Sequence, residues 1–314
     1  MTTAARYEEF AVDEAPGASA LYEELARGVA GDSELLALLD TLPEPKRQPN
    51  LFFAAARFLA GTPESFADFR REVLARRDAV VATMRARATQ TNEAARCAAL
   101  FPLLAALPQP LALLEVGASA GLCLQPDRYR YDLDGVIAGD KASPLTISCH
   151  YAGTVPEIRP DIEVAWRAGI DLNPLDVTAP DDVRWLEMLI WPGRDHDARL
   201  DRLRAAVAIA RAAPPRVVAG DLNARLAAVA AEAPGGATLV VFHTAVLAYV
   251  PEAGRAAFQA VVRDLPGHWI SQEDLRVWPA FAVPVPPGPE RFVLALDGTA
   301  VALTAPHGGY VEWL

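Results

Sequence analysis

The spacing of hydrophobic residues changes near residue 110. Before that point, apolar side chains recur every three or four positions, the period of an amphipathic helix. This pattern predicts helices over 19–41 with a break at 31–33, and over 51–60, 64–87 and 91–107. We therefore expect a helical N-terminal domain over 1–109 that caps a second domain over 110–314.

Beyond residue 110, short apolar runs alternate with helical patterns. The runs at 111–116, 162–170, 216–219, 237–242, 268–271, 291–296 and 300–304 predict buried strands, and the stretches 181–190, 196–212, 222–232 and 252–264 predict helices. Strands that alternate with helices indicate an α/β fold with a doubly wound parallel sheet. Asp297-Gly298 predicts a tight turn, so the last two runs should form an antiparallel hairpin at the sheet edge.

An interruption separates the first two of these strands. Residues 129–160 contain several glycines and short alternating runs such as LTISCHY. Alternation with period two is typical of half-buried strands. We interpret this stretch as an inserted β-hairpin that covers or lines a cleft.

Residues 111–121 read LALLEVGASAG, an apolar run followed by a turn of small residues. The turn fits G-x-S-x-G, in which Ser119 would be the nucleophile of a hydrolase, with Asp221 and then His243 or His268 as later partners. It also fits a cofactor loop that opens a helix. A hydrolase elbow follows several strands, whereas the chain before residue 111 is predicted to be helical. Glu115 at the strand end also favours the cofactor loop.

The segment 115–121, EVGASAG, resembles the first motif of class I S-adenosylmethionine-dependent methyltransferases, acid-x-Gly-x-Gly-x-Gly, with Ser119 replacing the middle glycine. The resemblance implies a Rossmann-like sheet of seven strands whose last two form a hairpin, with S-adenosylmethionine as cofactor. The cofactor-binding residues that it implies are Glu115, Gly117, Ala118, Ser119, Gly121, Asp171 and Asp221.

Roles for the polar residues follow from the same resemblance. Glu115 would accept a hydrogen bond from the cofactor's ammonium, Asp171 would bind the ribose, and Asp221 would lie near the adenine. Asp132 and Asp140 are alternatives for the ribose, closer to the usual spacing of about 20 residues in dinucleotide sites. Asp171 and Asp221 could instead cap turns or helices.

His243 follows an apolar run and is the candidate general base, because open α/β sheets bind ligands at the carboxyl ends of their strands. The alternative is a hydrogen-bonded packing residue. The sequence offers no second ligand cluster for a metal beside Asp195-His196-Asp197, so no metal site is expected.

A second resemblance covers nearly the whole chain. The segments 90–102, 113–132, 169–177 and 240–250 together resemble a family of uncharacterised bacterial proteins known only as a domain of unknown function. That resemblance implies no reaction. It draws attention to a polar set before the sheet, which would form a lid over a cofactor or dock the helical domain: Gln90, Asn92, Glu93 and Arg96.

Charge and composition narrow the classes of partner. The net charge of −11 and pI of about 5.0 disfavour nucleic acid and anionic membranes as partners. The three cysteines, with no C-x-x-C spacing, and the absence of a signal-peptide pattern predict a cytoplasmic protein. We expect a methyltransferase with a small-molecule acceptor. The alternatives are a non-catalytic scaffold that binds a nucleotide or protein partner, and a Ser119 hydrolase.

Overall fold

A computed structural model describes residues 1–90, 92–277 and 290–314. These residues form eleven α-helices and one mixed sheet of eleven strands. The predicted α/β class is confirmed, whereas a sheet of seven strands is too small. The α-helices are α1 (Thr3–Glu9), α2 (Ala20–Gly31), α3 (Ser33–Asp40), α4 (Pro49–Ala60), α5 (Phe66–Ala75), α6 (Arg77–Ala86), α7 (Cys97–Ala106), α8 (Pro180–Met188), α9 (His196–Ala212), α10 (Leu222–Ala230) and α11 (Glu252–Asp264). The strands are β1 (Leu111–Val116), β2 (Arg130–Leu133), β3 (Val136–Gly139), β4 (Thr146–Gly153), β5 (Val164–Asp171), β6 (Val217–Ala219), β7 (Thr238–Thr244), β8 (His268–Asp274), β9 (Phe292–Leu296), β10 (Thr299–Thr304) and β11 (Tyr310–Trp313).

The chain forms two compact units. One comprises Met1–Thr91 and Ala179–Leu203, and the other comprises Asn92–Thr178 and Arg204–Leu314. The whole sheet belongs to the second unit. The prediction of separate domains over 1–109 and 110–314 stays a prediction.

Capping residues account for the ends of several helices in the first unit. The predicted break at 31–33 is present, because Asp32 Oδ1 accepts hydrogen bonds from the backbone N–H groups of Glu34 and Leu35 at 3.0 and 2.9 Å and starts α3. Gly61, with φ of 85°, ends α4. These local signals are strong enough to be visible in the sequence.

The predicted long helix over 64–87 is two helices, α5 and α6, which meet at Arg76. The buried residues Phe69 and Val73 of α5 and Val80 and Met84 of α6 would share one face of a straight helix. Hydrophobic periodicity therefore runs through the break without a change. The sequence pattern alone could not reveal the interruption.

The sheet has the strand order β3-β2-β4-β11-β10-β9-β8-β7-β1-β5-β6. Its stretch β6-β5-β1-β7-β8 is parallel throughout. From β1 the chain adds β5 and β6 on one side and β7 and β8 on the other. The boundary between β1 and β7 is thus a topological switch point, where open α/β sheets bind ligands outside the carboxyl ends of the strands.

Beyond β8 the sheet is larger than predicted and contains both antiparallel and parallel pairs. β9 and β10 form the expected hairpin, with φ of 52° at Asp297 and 81° at Gly298. The hairpin is not at the sheet edge, because β11 pairs with β10 and the sheet continues through β4 to β2 and β3. The strand β11 has only four residues and was not predicted.

The small-residue turn after β1 does not open an α-helix, so this part of the prediction is wrong. Two short 3₁₀ helices, Leu122–Leu124 and Pro126–Arg128, follow instead. Pro126 provides the physical reason. It has no backbone N–H and disfavours helical geometry at Gln125, so a helix starting near residue 121 would be cut short.

Opposite faces of the central strands have different surroundings. Leu114 and Val116 of β1 and Val241 of β7 pack in a hydrophobic core with residues of α10 and α11, including Leu226 and Phe258. Because successive side chains of a strand alternate, Glu115 points to the other face.

Candidate functional site

The turn after β1 has an unusual backbone that its neighbours hold in place. Gly117, Ser119 and Gly121 have φ values of 71°, 51° and 70°. A Cβ at Gly117 would lie 2.3 Å from a methyl group of Val246, and a Cβ at Gly121 would lie 2.6 Å from Pro215. Glycine is therefore required at the first and last positions both by the backbone and by packing.

Most of the described backbone N–H groups of this turn donate to protein acceptors. Gly117 and Ala118 both donate to the carbonyl of Ile170, at 2.8 and 3.2 Å. Ser119 N–H donates to Asp171 Oδ2 at 2.8 Å, and Leu122 N–H donates to Asn92 Oδ1 at 2.8 Å. The turn is thus fastened to the end of β5 and to the segment that precedes α7.

Asp171 has the turn-capping contacts that were one of the two interpretations of this residue, and its binding of ribose stays a prediction. It ends β5, and its Oδ1 accepts from Asn173 N–H at 2.8 Å while Oδ2 accepts from Ser119 N–H. The alternatives Asp132 and Asp140 accept from the backbone N–H groups of Gly135 and Ala142, in turns next to β2 and β3.

Asp221 lies at the start of α10. Its Oδ1 accepts from Ala224 N–H at 3.1 Å, and its side chain is exposed. This is the geometry of a helix N-cap, one of the two interpretations that the sequence allowed. Its predicted contact with adenine stays a prediction.

Glu115 is the most unusual ionisable group of the site. The residue is 1% exposed, and its Oε2 has no hydrogen-bond partner among the residues that the structure describes. Burial raises the pKa of this carboxyl well above 4.5, electrostatic interactions with Cys123 and Asp171 raise it further, and Arg96 opposes them. A buried polar atom without a partner is costly, so Glu115 is a candidate ligand-binding group.

Arg96 approaches the same region from the 3₁₀ helix Ala94–Arg96. Its Nη1 donates to the carbonyl oxygen and Oγ1 of Thr244 at 3.0 and 3.3 Å, and its Nε donates to the carbonyl oxygen of Pro306 at 2.8 Å. The polar set that precedes the sheet therefore contacts the sheet unit itself, Arg96 at the end of β7 and Asn92 at the turn after β1. The predicted helical spacing of Asn92 and Arg96 is wrong, because α7 starts only at Cys97.

His243 occupies a buried network on the face opposite Glu115. Its Nδ1 lies 2.7 Å from Glu273 Oε1, and its Nε2 accepts from the indole N–H of Trp269 at 3.0 Å. An indole only donates, so Nε2 is the unprotonated nitrogen and Nδ1 carries the proton. The role of general base stays a prediction, and it would require the ring to release one of these bonds.

Glu273 also holds the loop that follows β7. Its Oε1 accepts from the backbone N–H groups of Val246 at 2.8 Å and Leu247 at 3.1 Å. Val246 is the residue that packs against Gly117. Neither Glu273 nor Trp269 was predicted from the sequence. The polar residues QED at the end of the apolar run in β8 are the signal that could have indicated Glu273.

The hydrolase hypothesis gains no support from this geometry. Ser119 has the positive φ of a strained elbow, but no α-helix follows it. Both ring nitrogens of His243 bond to Glu273 and Trp269 rather than to Ser119 or Asp221. A Ser119–His243 relay is therefore not assembled in this structure.

The described residues define an α/β protein with a mixed sheet and a polar site at its topological switch point. The chain belongs to the DUF2332 family, described as an uncharacterised protein conserved in bacteria, and residues 4–313 match the family model. No curated protein and no solved structure matches the chain. Within the described ranges no cluster of three or more metal-binding side chains occurs, and no helix has the length and apolarity to cross a membrane.

Proposed function

We propose that this protein binds S-adenosylmethionine at the carboxyl ends of β1, β5 and β7 and transfers its methyl group to a small-molecule acceptor. The observation that carries the proposal is Glu115, a buried acid at the switch point of the sheet with one oxygen that has no partner among the described residues. An ammonium group of a ligand would supply the missing partner and favour the ionised carboxylate. When bound, the cofactor supplies a methyl group on a positively charged sulfur.

The missing helix after β1 favours a ligand without phosphate. Phosphate-binding loops direct free N–H groups and the positive end of a helix at the anion. Here the turn N–H groups of Gly117, Ala118 and Ser119 already have protein acceptors, and only 3₁₀ helices follow. S-adenosylmethionine contains a nucleoside and an amino acid but no phosphate, so it does not need that cradle.

Two neighbouring features suit a nucleoside. Asp171 ends β5 beside the turn after β1, and the methyltransferase resemblance assigns this acid to the ribose. Leu172 directly follows Asp171 and is 69% exposed. A flat base placed over Leu172 would cover this apolar surface.

The net charge of the protein limits the class of methyl acceptor. A net charge of −11 disfavours nucleic acid as the acceptor and is compatible with a small molecule. Methyl transfer gains most of its rate from alignment of the reacting atoms, so no general base is needed unless the acceptor must lose a proton. We do not assign that base to His243, because both of its nitrogens are bonded.

The turn N–H groups of Gly117, Ala118 and Ser119 already bond to the protein. This favours a second candidate, a methyltransferase-like scaffold that binds its ligand without catalysis. In that case cofactor binding and methyl transfer separate. Incubation with radiolabelled S-adenosylmethionine and a mixture of small metabolites, followed by detection of labelled products, distinguishes the two. A labelled product supports the enzyme, and binding without any product supports the scaffold.

Calorimetric titration tests the binding proposal. We expect S-adenosylhomocysteine to bind with a dissociation constant of about 1–100 μM. ATP and NAD should bind at least about 10-fold more weakly, because the N–H groups of Gly117, Ala118 and Ser119 already have protein acceptors and no α-helix follows the turn. Glu115→Gln should weaken binding of S-adenosylhomocysteine without unfolding the protein. A folded protein that binds no S-adenosylhomocysteine, or binds ATP equally well, would overturn the proposal.

A further inference from the structure

Two buried side chains beside the switch point each keep one polar atom unused. Arg96 is 4% exposed, and its Nη2 makes no hydrogen bond to the described part of the chain, whereas its Nε and Nη1 are bonded. Glu115 Oε2 is buried and likewise unpartnered among the described residues. One is a fixed cation with free donors, and the other is an acid with a free acceptor.

The sheet register puts these two groups at the same place. Glu115 of β1 pairs with Phe242 of β7, and Thr244 lies two residues further along β7. Side chains two residues apart share a face, so Thr244 is the diagonal neighbour of Glu115 on that face. Arg96 bonds to Thr244 through both its carbonyl oxygen and its hydroxyl, and the guanidinium is close enough to Glu115 to oppose the rise in its pKa.

The charges around Glu115 limit what can bind there. Four ionisable groups interact with this carboxyl: Arg96, Cys123 of the 3₁₀ helix Leu122–Leu124, Asp171 of β5 and the buried phenol of Tyr129. Arg96 is the only cation among them. A ligand with only negative charge would bind Arg96 but be repelled by Asp171 and would leave Glu115 unpartnered, while a simple cation would leave Arg96 unpartnered. A ligand with both charges satisfies both groups.

We propose that Arg96 and Glu115 together bind an α-amino acid group, Arg96 through its carboxylate and Glu115 through its ammonium. This inference rests on the proposed function, in which that group is the methionine part of the cofactor. The planar guanidinium suits a carboxylate because it offers N–H groups in a fixed fork. The raised pKa of Glu115 favours the protonated acid in the free protein and a ligand ammonium favours the carboxylate, so binding should release a proton.

Two probes that differ only in the amino acid group provide the first test. S-adenosylhomocysteine carries it, and 5′-methylthioadenosine keeps the adenosine and a thioether but lacks it. We expect wild-type protein to bind the first about 10- to 100-fold more tightly, the usual effect of a charge-assisted pair. Equal binding of both probes would overturn this inference and leave the proposed function intact. Binding of neither would overturn both.

Variants of Arg96 separate recognition from a structural role. Arg96→Gln should weaken the binding of S-adenosylhomocysteine about 10-fold or more and leave the affinity for 5′-methylthioadenosine unchanged, since only the first probe has a carboxylate. Arg96→Lys should give an intermediate loss. Arg216→Gln, at an exposed arginine paired with Glu232, is the matched control and should change neither affinity. An equal loss for both probes would show that Arg96 only holds Thr244 and Pro306, and would refute its assignment.

Proton release tests the partner acid. Titration of wild-type protein with S-adenosylhomocysteine at pH 7, in buffers of different ionisation enthalpy, should show release of up to about one proton per ligand. The Glu115→Gln variant should release no proton when it binds S-adenosylhomocysteine. Wild-type protein should release no proton when it binds 5′-methylthioadenosine. Release by Glu115→Gln equal to that of wild type would overturn the role of Glu115.

Discussion

Glu273 is predicted to be one of the side chains on which the stability of the site depends most. Its Oε1 accepts three hydrogen bonds, from His243 Nδ1 at 2.7 Å and from the backbone N–H groups of Val246 at 2.8 Å and Leu247 at 3.1 Å. Glu273→Ala would remove the only acceptor that the structure gives to each of these donors. The loop after β7 would lose its anchor to β8.

The magnitude follows from the number of donors left without a partner. Each buried donor that loses its acceptor costs about 1–3 kcal/mol, and water that enters the vacated space recovers part of this. We therefore expect Glu273→Ala to lower the free energy of unfolding by about 3–5 kcal/mol. For a unit of roughly 200 residues this corresponds to a fall in Tm of about 10 °C. Glu273→Gln keeps one acceptor oxygen and should lose about 1–2 kcal/mol.

Urea and thermal unfolding, followed by circular dichroism and tryptophan fluorescence, measure these losses. The indole of Trp269 bonds to His243, so its fluorescence should report the same transition. The matched control is Glu232→Ala, which removes an exposed glutamate paired with Arg216. Equal stability of the Glu273 and Glu232 alanine variants would refute the account of the loop anchor.

Three further predictions concern a buried acid, a packed glycine and a buried arginine. From pH 5 to 8, the free energy of unfolding of wild type, measured in urea, should fall relative to that of Glu115→Gln by up to about 1.4 kcal/mol per pH unit. The reason is that the unfolded acid ionises above its ordinary pKa of 4.5, whereas burial raises the pKa of the folded acid. Parallel pH profiles of the two proteins would contradict this. Gly117→Ala should lose about 2–4 kcal/mol and Gly135→Ala only about 1, since both have positive φ but only Gly117 faces Val246 at 2.3 Å; equal melting temperatures would exclude the clash. Arg57→Met should lose about 3–5 kcal/mol in thermal unfolding, because the buried guanidinium donates to a tyrosine hydroxyl, a threonine hydroxyl and two carbonyl oxygens; a loss below about 1 kcal/mol would contradict a structural role.

Local signals in the sequence predict most of the individual elements. The helices α9 and α11 have the predicted bounds, and the hairpin turn at Asp297-Gly298 is where the dipeptide indicates. These features depend on neighbouring residues only. Periodicity and turn chemistry describe such interactions well.

Features that depend on distant pairing were not predicted. β11 has four residues and enters the sheet by pairing with β10 on one side and β4 on the other. β4 precedes β11 by more than 150 residues in the sequence. The network of His243, Glu273 and Trp269 requires β7 and β8 to be neighbours. The sequence identified His243 from its place at a strand end, but not the two partners that occupy its nitrogens.

The turn after β1 resembles the methyltransferase motif in sequence, but its backbone N–H groups are bonded within the protein. Ser119 stands where the methyltransferase pattern has a glycine, and it keeps a positive φ. Its N–H donates to Asp171 and is therefore not directed at a ligand. A ligand at this switch point therefore gains little from the turn itself. On the face of the sheet opposite His243, Glu115 and Arg96 are the charged groups that keep a polar atom without a partner among the described residues. If the site binds a cofactor, its specificity must come from these two charges, which is why a probe without the amino acid group is the sharper test.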